Sequence, residues 1–97
     1  MISVRYEWDP KKSKLNLQKH GISFEEAKEI FYGAVFTAED SRKDYGEKRF
    51  ISIGSISNII FLVVVHTDRM NKMRIISARK ANQKEKGLYY EYLKTKN

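Results

Sequence analysis

Arginines and lysines are the residues of this chain best placed to do chemistry. Arg74, Arg79 and Lys80 lie within one short stretch, Arg49 and Arg69 precede them, and His20 and His66 are the only histidines. A guanidinium presents a planar fork of donors that matches phosphate oxygens, which makes Arg74, Arg79 and Lys80 the candidates for gripping a phosphate. Arg49 and Arg69 are candidates for supporting contacts along a polyanion. The histidines, with ordinary pKa values near neutrality, are candidates for moving protons. Glu7 and Asp68 could act as a base or orient an arginine, although lone carboxylates beside basic residues are usually ion-pair partners.

What is missing narrows the chemistry further. The chain has no cysteine, no glycine-rich phosphate loop, no metal-spaced cluster and no Ser-His-Asp order that suggests a triad. These absences favour a reaction in which the substrate brings its own nucleophile. RNA does so: its 2′-hydroxyl attacks the adjacent phosphate if the backbone is held in line, the crowded phosphorane is stabilised and two protons are moved. Such an enzyme needs no metal and no cofactor. Arg74 and Arg79 are five apart, however, and in a regular strand an odd separation puts them on opposite faces unless a bulge intervenes. Tyr89, Tyr90 and Tyr92 with Phe61 could stack on bases, but at helical spacing such aromatics more often build a core.

The elements that must position these residues follow from local pattern. Ile2 to Glu7 alternates as a strand, and Asp9-Pro10 starts a helix that runs to His20 and stops at Gly21. Ser23 and Glu26 form a capping box for a second helix ending near Gly33. Val35 to Asp40 is a weaker strand, Ser41 to Gly46 a turn, and Arg49 to Gly54 a third strand. Ser57-Asn58 makes the next hairpin. The apolar run Ile59 to Val65 reads as a strand buried on both faces, the sheet's centre. His66 to Asn71 reads as a polar turn, Lys72 to Arg79 as the last strand, and Asn82 with Glu85 as the cap of a C-terminal helix that Gly87 weakens. This order predicts an α+β fold: an antiparallel sheet of four to five strands, with two N-terminal helices and a C-terminal helix gathered on one face and the other face open.

Ninety-seven residues predict a single domain, 1–97, able to bury roughly 60 to 70 % of its unfolded surface. Nothing from Met1 to Trp8 resembles a signal peptide and the apolar run is too short for a bilayer, so the expectation is a cytoplasmic protein with no membrane partner. Net charge is +7, unevenly spread: residues 1–47 hold 8 Lys/Arg against 9 Asp/Glu, residues 48–97 hold 11 against 3. A basic second half suits a polyanionic partner such as RNA.

Several stretches together resemble a known family. They are Tyr6-Glu7-Trp8-Asp9-Pro10-Lys11, Asn16, Lys19-His20-Gly21-Ile22-Ser23-Phe24-Glu25-Glu26-Ala27, Gly46-Glu47-Lys48-Arg49-Phe50, Thr67-Asp68-Arg69, and Arg74-Ile75-Ile76-Ser77-Ala78-Arg79-Lys80-Ala81 with Glu85 and Tyr89. In this order they look like the motifs of the BrnT toxins of type II toxin-antitoxin systems. The family commonly has Glu where Asp68 stands and a better helix former at Gly87. The resemblance implies a RelE-like fold and a metal-independent ribonuclease that inhibits translation. It also implies a BrnA-like antitoxin partner with a ribbon-helix-helix DNA-binding region, through which alone the toxin would meet DNA. Two other readings fit: a non-catalytic co-repressor module that binds antitoxin and nucleic acid, and a relic retained only for complex formation.

Overall fold

The computed structural model describes residues 4–96. It is an α+β fold with β1 at Arg5–Glu7, α1 at Pro10–His20, α2 at Phe24–Ala27, a 3-10 turn at Lys28–Tyr32, and β2 at Phe36–Asp40. Then come β3 at Arg49–Ile56, β4 at Ile60–Arg69, β5 at Lys72–Lys80 and α3 at Gln83–Thr95. The sheet order is β1-β5-β4-β3-β2. β2 to β5 form the predicted antiparallel meander, while β1 joins β5 in parallel, so the sheet is mixed. Of the strand predicted from Ile2, the first two residues lie outside the described part.

The helix starts and stops are chemical. Asp9 accepts from the Lys11 amide before Pro10, and Gly21 takes a left-handed φ of 73° to end α1. Ser23 with Glu26, and Asn82 with Glu85, form reciprocal capping boxes. The second helix, expected to stay α-helical to Gly33, tightens instead into the 3-10 turn after Ala27. Its buried residues, Phe24, Ala27 and Ile30, are spaced by three, the repeat that a 3-10 helix aligns into one ridge.

The expectation that all helices share one face is corrected by the core. Phe24, Ala27 and Ile30 pack on Leu62, Val64, Ile75 and Ala78, whereas Tyr89 of α3 packs with Ile53, Val63 and Ala81 on the opposite side. α1 runs along the outer edge of β5, where buried Asn16 substitutes for a neighbouring strand. Its side chain donates to the Ala78 carbonyl at 2.8 Å and accepts from the Ala78 amide at 3.2 Å, while also donating to Ile22 O. At Gly54, β3 passes so close to the 3-10 turn that a Cβ would stand 2.9 Å from Ile30 Cβ.

The polar turn predicted over His66 to Asn71 is only Met70-Asn71. His66, Thr67, Asp68 and Arg69 continue β4, paired with Ile75, Arg74, Met73 and Lys72. His66 and Thr67 are buried while Asp68 and Arg69 are exposed, so polarity did not mean exposure for the first two; side-chain bonds hold His66, Asp68 and Arg69 in the strand.

Candidate functional site

Strand alternation assigns the polar residues of β4 to two different sites. Thr67 and Arg69 face the α3 side, beyond the part that α3 covers, and His66 and Asp68 face the side of the N-terminal helices.

On the α3 side, near the β4–β5 hairpin, Glu7, Glu47, Thr67, Arg69, Lys72 and Arg74 line a cavity of about 280 Å³. The register builds it: Lys72 pairs with Arg69, Arg74 with Thr67, and Glu7 on β1 with Arg74. Arg69 Nη2 donates to Glu47 Oε2 at 2.8 Å. Arg74 Nη1 stands 3.9 Å from Glu7 Oε1, beyond hydrogen-bond reach. Arg49 enters β3 level with Thr67, its guanidinium 4.0 Å above the Tyr45 ring, and among the described residues its buried Nε has no acceptor. An unmet donor and a loose ion pair leave this region short of satisfied partners.

A bulge decides where Arg79 lies. Between Val65 and His66 the register slips, leaving Ile76 as an extra residue of β5. Arg74 pairs with Thr67 and Arg79 with Val63, residues of like parity on β4, so the bulge places both arginines on the α3 face despite their odd separation. They remain about 13 Å apart along the strand, four residues of rise. Arg79 donates to both carboxylate oxygens of Glu85, at 2.8 and 2.6 Å. That bonding raises the Arg79 pKa, with burial and the like charge of Arg42 opposing, and lowers that of Glu85. Arg42, which sequence reasoning passed over, makes a bidentate pair with buried Asp40 at 2.8 and 2.9 Å and holds that carboxyl well below the usual carboxylate range. The only trace of this in the sequence is the spacing Asp40-x-Arg42.

The remaining sequence candidates lie elsewhere. Lys80 pairs with Leu62 and leaves the sheet on the opposite face from Arg79. His20 lines a groove between α1 and β5 with Lys12, Leu15, Lys19 and Ile76. His66 is only 1 % exposed, with Phe31 edge-on and Phe50 stacked against its ring. Its Nδ1 meets Asp68 Oδ1 at 2.7 Å and its Nε2 meets Ser52 Oγ at 2.7 Å, while Ser52 meets Thr37 Oγ1 at 2.7 Å. An ionised carboxylate only accepts, so the ring nitrogen facing Asp68 is the donor, Nδ1–H. The connectivity is that of a Ser-His-Asp triad, but Ser52 is 0 % exposed and admits no substrate. The structure places His66, a candidate for moving protons, in the core with both ring nitrogens hydrogen-bonded.

Among the described residues, no group of three or more His, Cys, Asp and Glu is placed to hold a metal, and no helix is long and apolar enough to cross a membrane.

A family model described as the ribonuclease toxin BrnT of type II toxin-antitoxin systems matches residues 8–85. The chain belongs to the BrnT family. The matched span contains Arg42, Arg49, Glu47, Arg69, Arg74 and Arg79, and it begins one residue after Glu7. Among solved structures, the chain is similar to the Brucella abortus ribonuclease toxin BrnT, solved at 1.1 Å, with 25 % identity and a TM-score of 0.61. The match covers 84 % of this chain and 100 % of that one. No curated protein matches the sequence. As a BrnT toxin of a type II system, the chain implies an antitoxin partner, and the family's description is that of a ribonuclease.

Proposed function

We propose that the chain is a metal-independent endoribonuclease whose active site is the cavity between β1, β4 and β5. The observation that carries the reading is the convergence of Arg69, Lys72 and Arg74 on one small open cavity with Glu7 and Glu47. Three cations against two carboxylates favour a phosphodiester over a divalent cation. Arg74, with no carboxylate in hydrogen-bond reach, and Arg69, held by Glu47, grip the scissile phosphate, and the guanidinium fork stabilises the charge that grows on its oxygens. Arg49 supports the site from beneath, and Arg79 holds a neighbouring phosphate further along the face. Lys80 and His20, on other surfaces, contribute to RNA binding beyond the cleavage point. Cleavage of mRNA inhibits translation, and a BrnA-like ribbon-helix-helix antitoxin neutralises the toxin and carries the complex to DNA.

The test is incubation of the purified chain, freed of antitoxin, with labelled RNA in EDTA. Cleavage leaving 2′,3′-cyclic phosphate ends supports the reading; activity lost in EDTA and restored by magnesium or manganese contradicts it. A second reading, a co-repressor that binds antitoxin and nucleic acid without cutting, draws on the bidentate Arg79–Glu85 pair, which ties one of the face's arginines to the cap of α3. Intact RNA in both the EDTA and the metal arms would favour it.

A further inference from the structure

The attacking 2′-hydroxyl needs a proton acceptor beside the guanidinium that holds the phosphate. Neither histidine supplies it. His66 is enclosed on the other side of the sheet with both nitrogens bonded, and His20 lines the α1 groove. The carboxylates lining the cavity are Glu7 and Glu47, and they differ in freedom. Glu47 lies in the loop before β3 and accepts from Arg69 at 2.8 Å. Glu7 ends β1, where parallel pairing fixes it directly beside Arg74. Among the described residues its nearest cationic nitrogen, Arg74 Nη1, is 3.9 Å away, and nearly half of its side chain is exposed. A group on a strand is positioned more firmly than one on a loop, and a carboxylate without a close donor keeps its lone pairs free.

Resting on the ribonuclease reading above, we propose that Glu7 is the general base of the reaction. Glu7 takes the 2′-hydroxyl proton as the O2′–P bond forms, with Arg74 holding the phosphate oxygens. The P–O5′ bond breaks, its electron pair stays on O5′, and that oxygen takes a proton from water at the cavity mouth. The ends produced are a 2′,3′-cyclic phosphate and a 5′-hydroxyl. The proton on Glu7 then returns to solvent and neutralises the hydroxide left behind. Glu47 is a positioning residue: it orients Arg69 and does not touch the reacting atoms.

The experiment is a pH profile of kcat/KM for cleavage of a short labelled oligoribonucleotide by wild type, Glu7→Gln, Glu7→Asp and Glu47→Gln, with circular dichroism at each pH to confirm folding. A base must be ionised to accept the proton, so the wild-type rate falls on the acid side as the carboxylate protonates. Glu7→Gln loses about 10²- to 10⁴-fold and its acid limb disappears. Glu7→Asp recovers part of the rate and keeps the limb. Glu47→Gln raises KM and leaves the profile's shape intact. A folded Glu7→Gln enzyme with the wild-type rate and limb would overturn the assignment, as would loss of the limb in Glu47→Gln instead. Absence of cleavage by wild type would instead overturn the ribonuclease mechanism itself.

Discussion

His66 and Thr67 are neighbours on β4 and belong to opposite kinds of polar region. On the helix-covered side, Thr37, Ser52, His66 and Asp68 form a chain of three 2.7 Å hydrogen bonds, closed at its centre by Phe31 and Phe50. On the other side, Arg49 keeps a buried donor without an acceptor, and Arg74 stands 3.9 Å from its carboxylate. A satisfied network has nothing left to offer a ligand and rigidifies the fold; an under-satisfied one gains when a phosphate arrives. The same strand thus presents a structural face and a receptive one, and residue type alone does not say which is which.

The division between the two faces of β4 is tested most strongly by His66→Ala. It empties a core position and orphans the Ser52 hydroxyl, so we expect a loss of about 3 to 5 kcal/mol in denaturant unfolding. At temperatures where the variant remains folded, RNA affinity should stay within about twofold of wild type. A large drop in affinity with stability intact would place His66 on the receptive side after all. Gly54→Ala tests the packing beneath the structural face. Its Cβ would crowd Ile30 and Val35, neither of which has a flexible end to withdraw, so a loss of about 1 to 3 kcal/mol is expected by the same measurement.

The smallest expected effect concerns the Arg79–Glu85 pair. The carboxyl of Glu85 has a lowered pKa in the folded chain, chiefly through its bonds from Arg79. Its contribution is therefore fully present above the unfolded value of about 4.3 and is lost as pH falls through the lower folded value. The pair is half exposed on its arginine side, so it is worth less than about 1 kcal/mol. Unfolding measured from pH 7 down to pH 3 should show wild type losing that increment below about pH 4.3, while Glu85→Gln, lacking it throughout, loses correspondingly less.

Much of the architecture was legible because it rests on local chemistry. Asp9-Pro10, Gly21, Ser23 with Glu26, and Asn82 with Glu85 act within one turn of chain, and all four stand where the sequence places them. The misreadings involved partners distant in sequence. His66 to Arg69 looked like a turn because the hydroxyl that meets His66 comes from Ser52 on β3, itself bonded to Thr37 on β2. The face chosen by α3 depends on Ile53 and Val63, which no helical pattern reveals. The bulge at Ile76 left a faint signal, the doublet Ile75-Ile76 that shifts the phase of alternation, and it alone lets Arg74 and Arg79 share a face. The basic residues were identifiable from the sequence, but their grouping was not. The two arginines of the cavity, Arg69 and Arg74, came with an unforeseen companion, Lys72, and Lys80 left by the other side.

The most direct test of the account is Arg74→Ala, assayed for RNA cleavage in EDTA beside its unfolding free energy. Arg74 is 49 % exposed, and its nearest carboxylate lies beyond hydrogen-bond reach, so removing it should change stability by less than about 1 kcal/mol. Cleavage should fall by about 10²- to 10³-fold, the loss typical of removing a group that stabilises transition-state charge. A stable Arg74→Ala protein that cuts RNA as well as wild type would contradict the placing of the active site in this cavity.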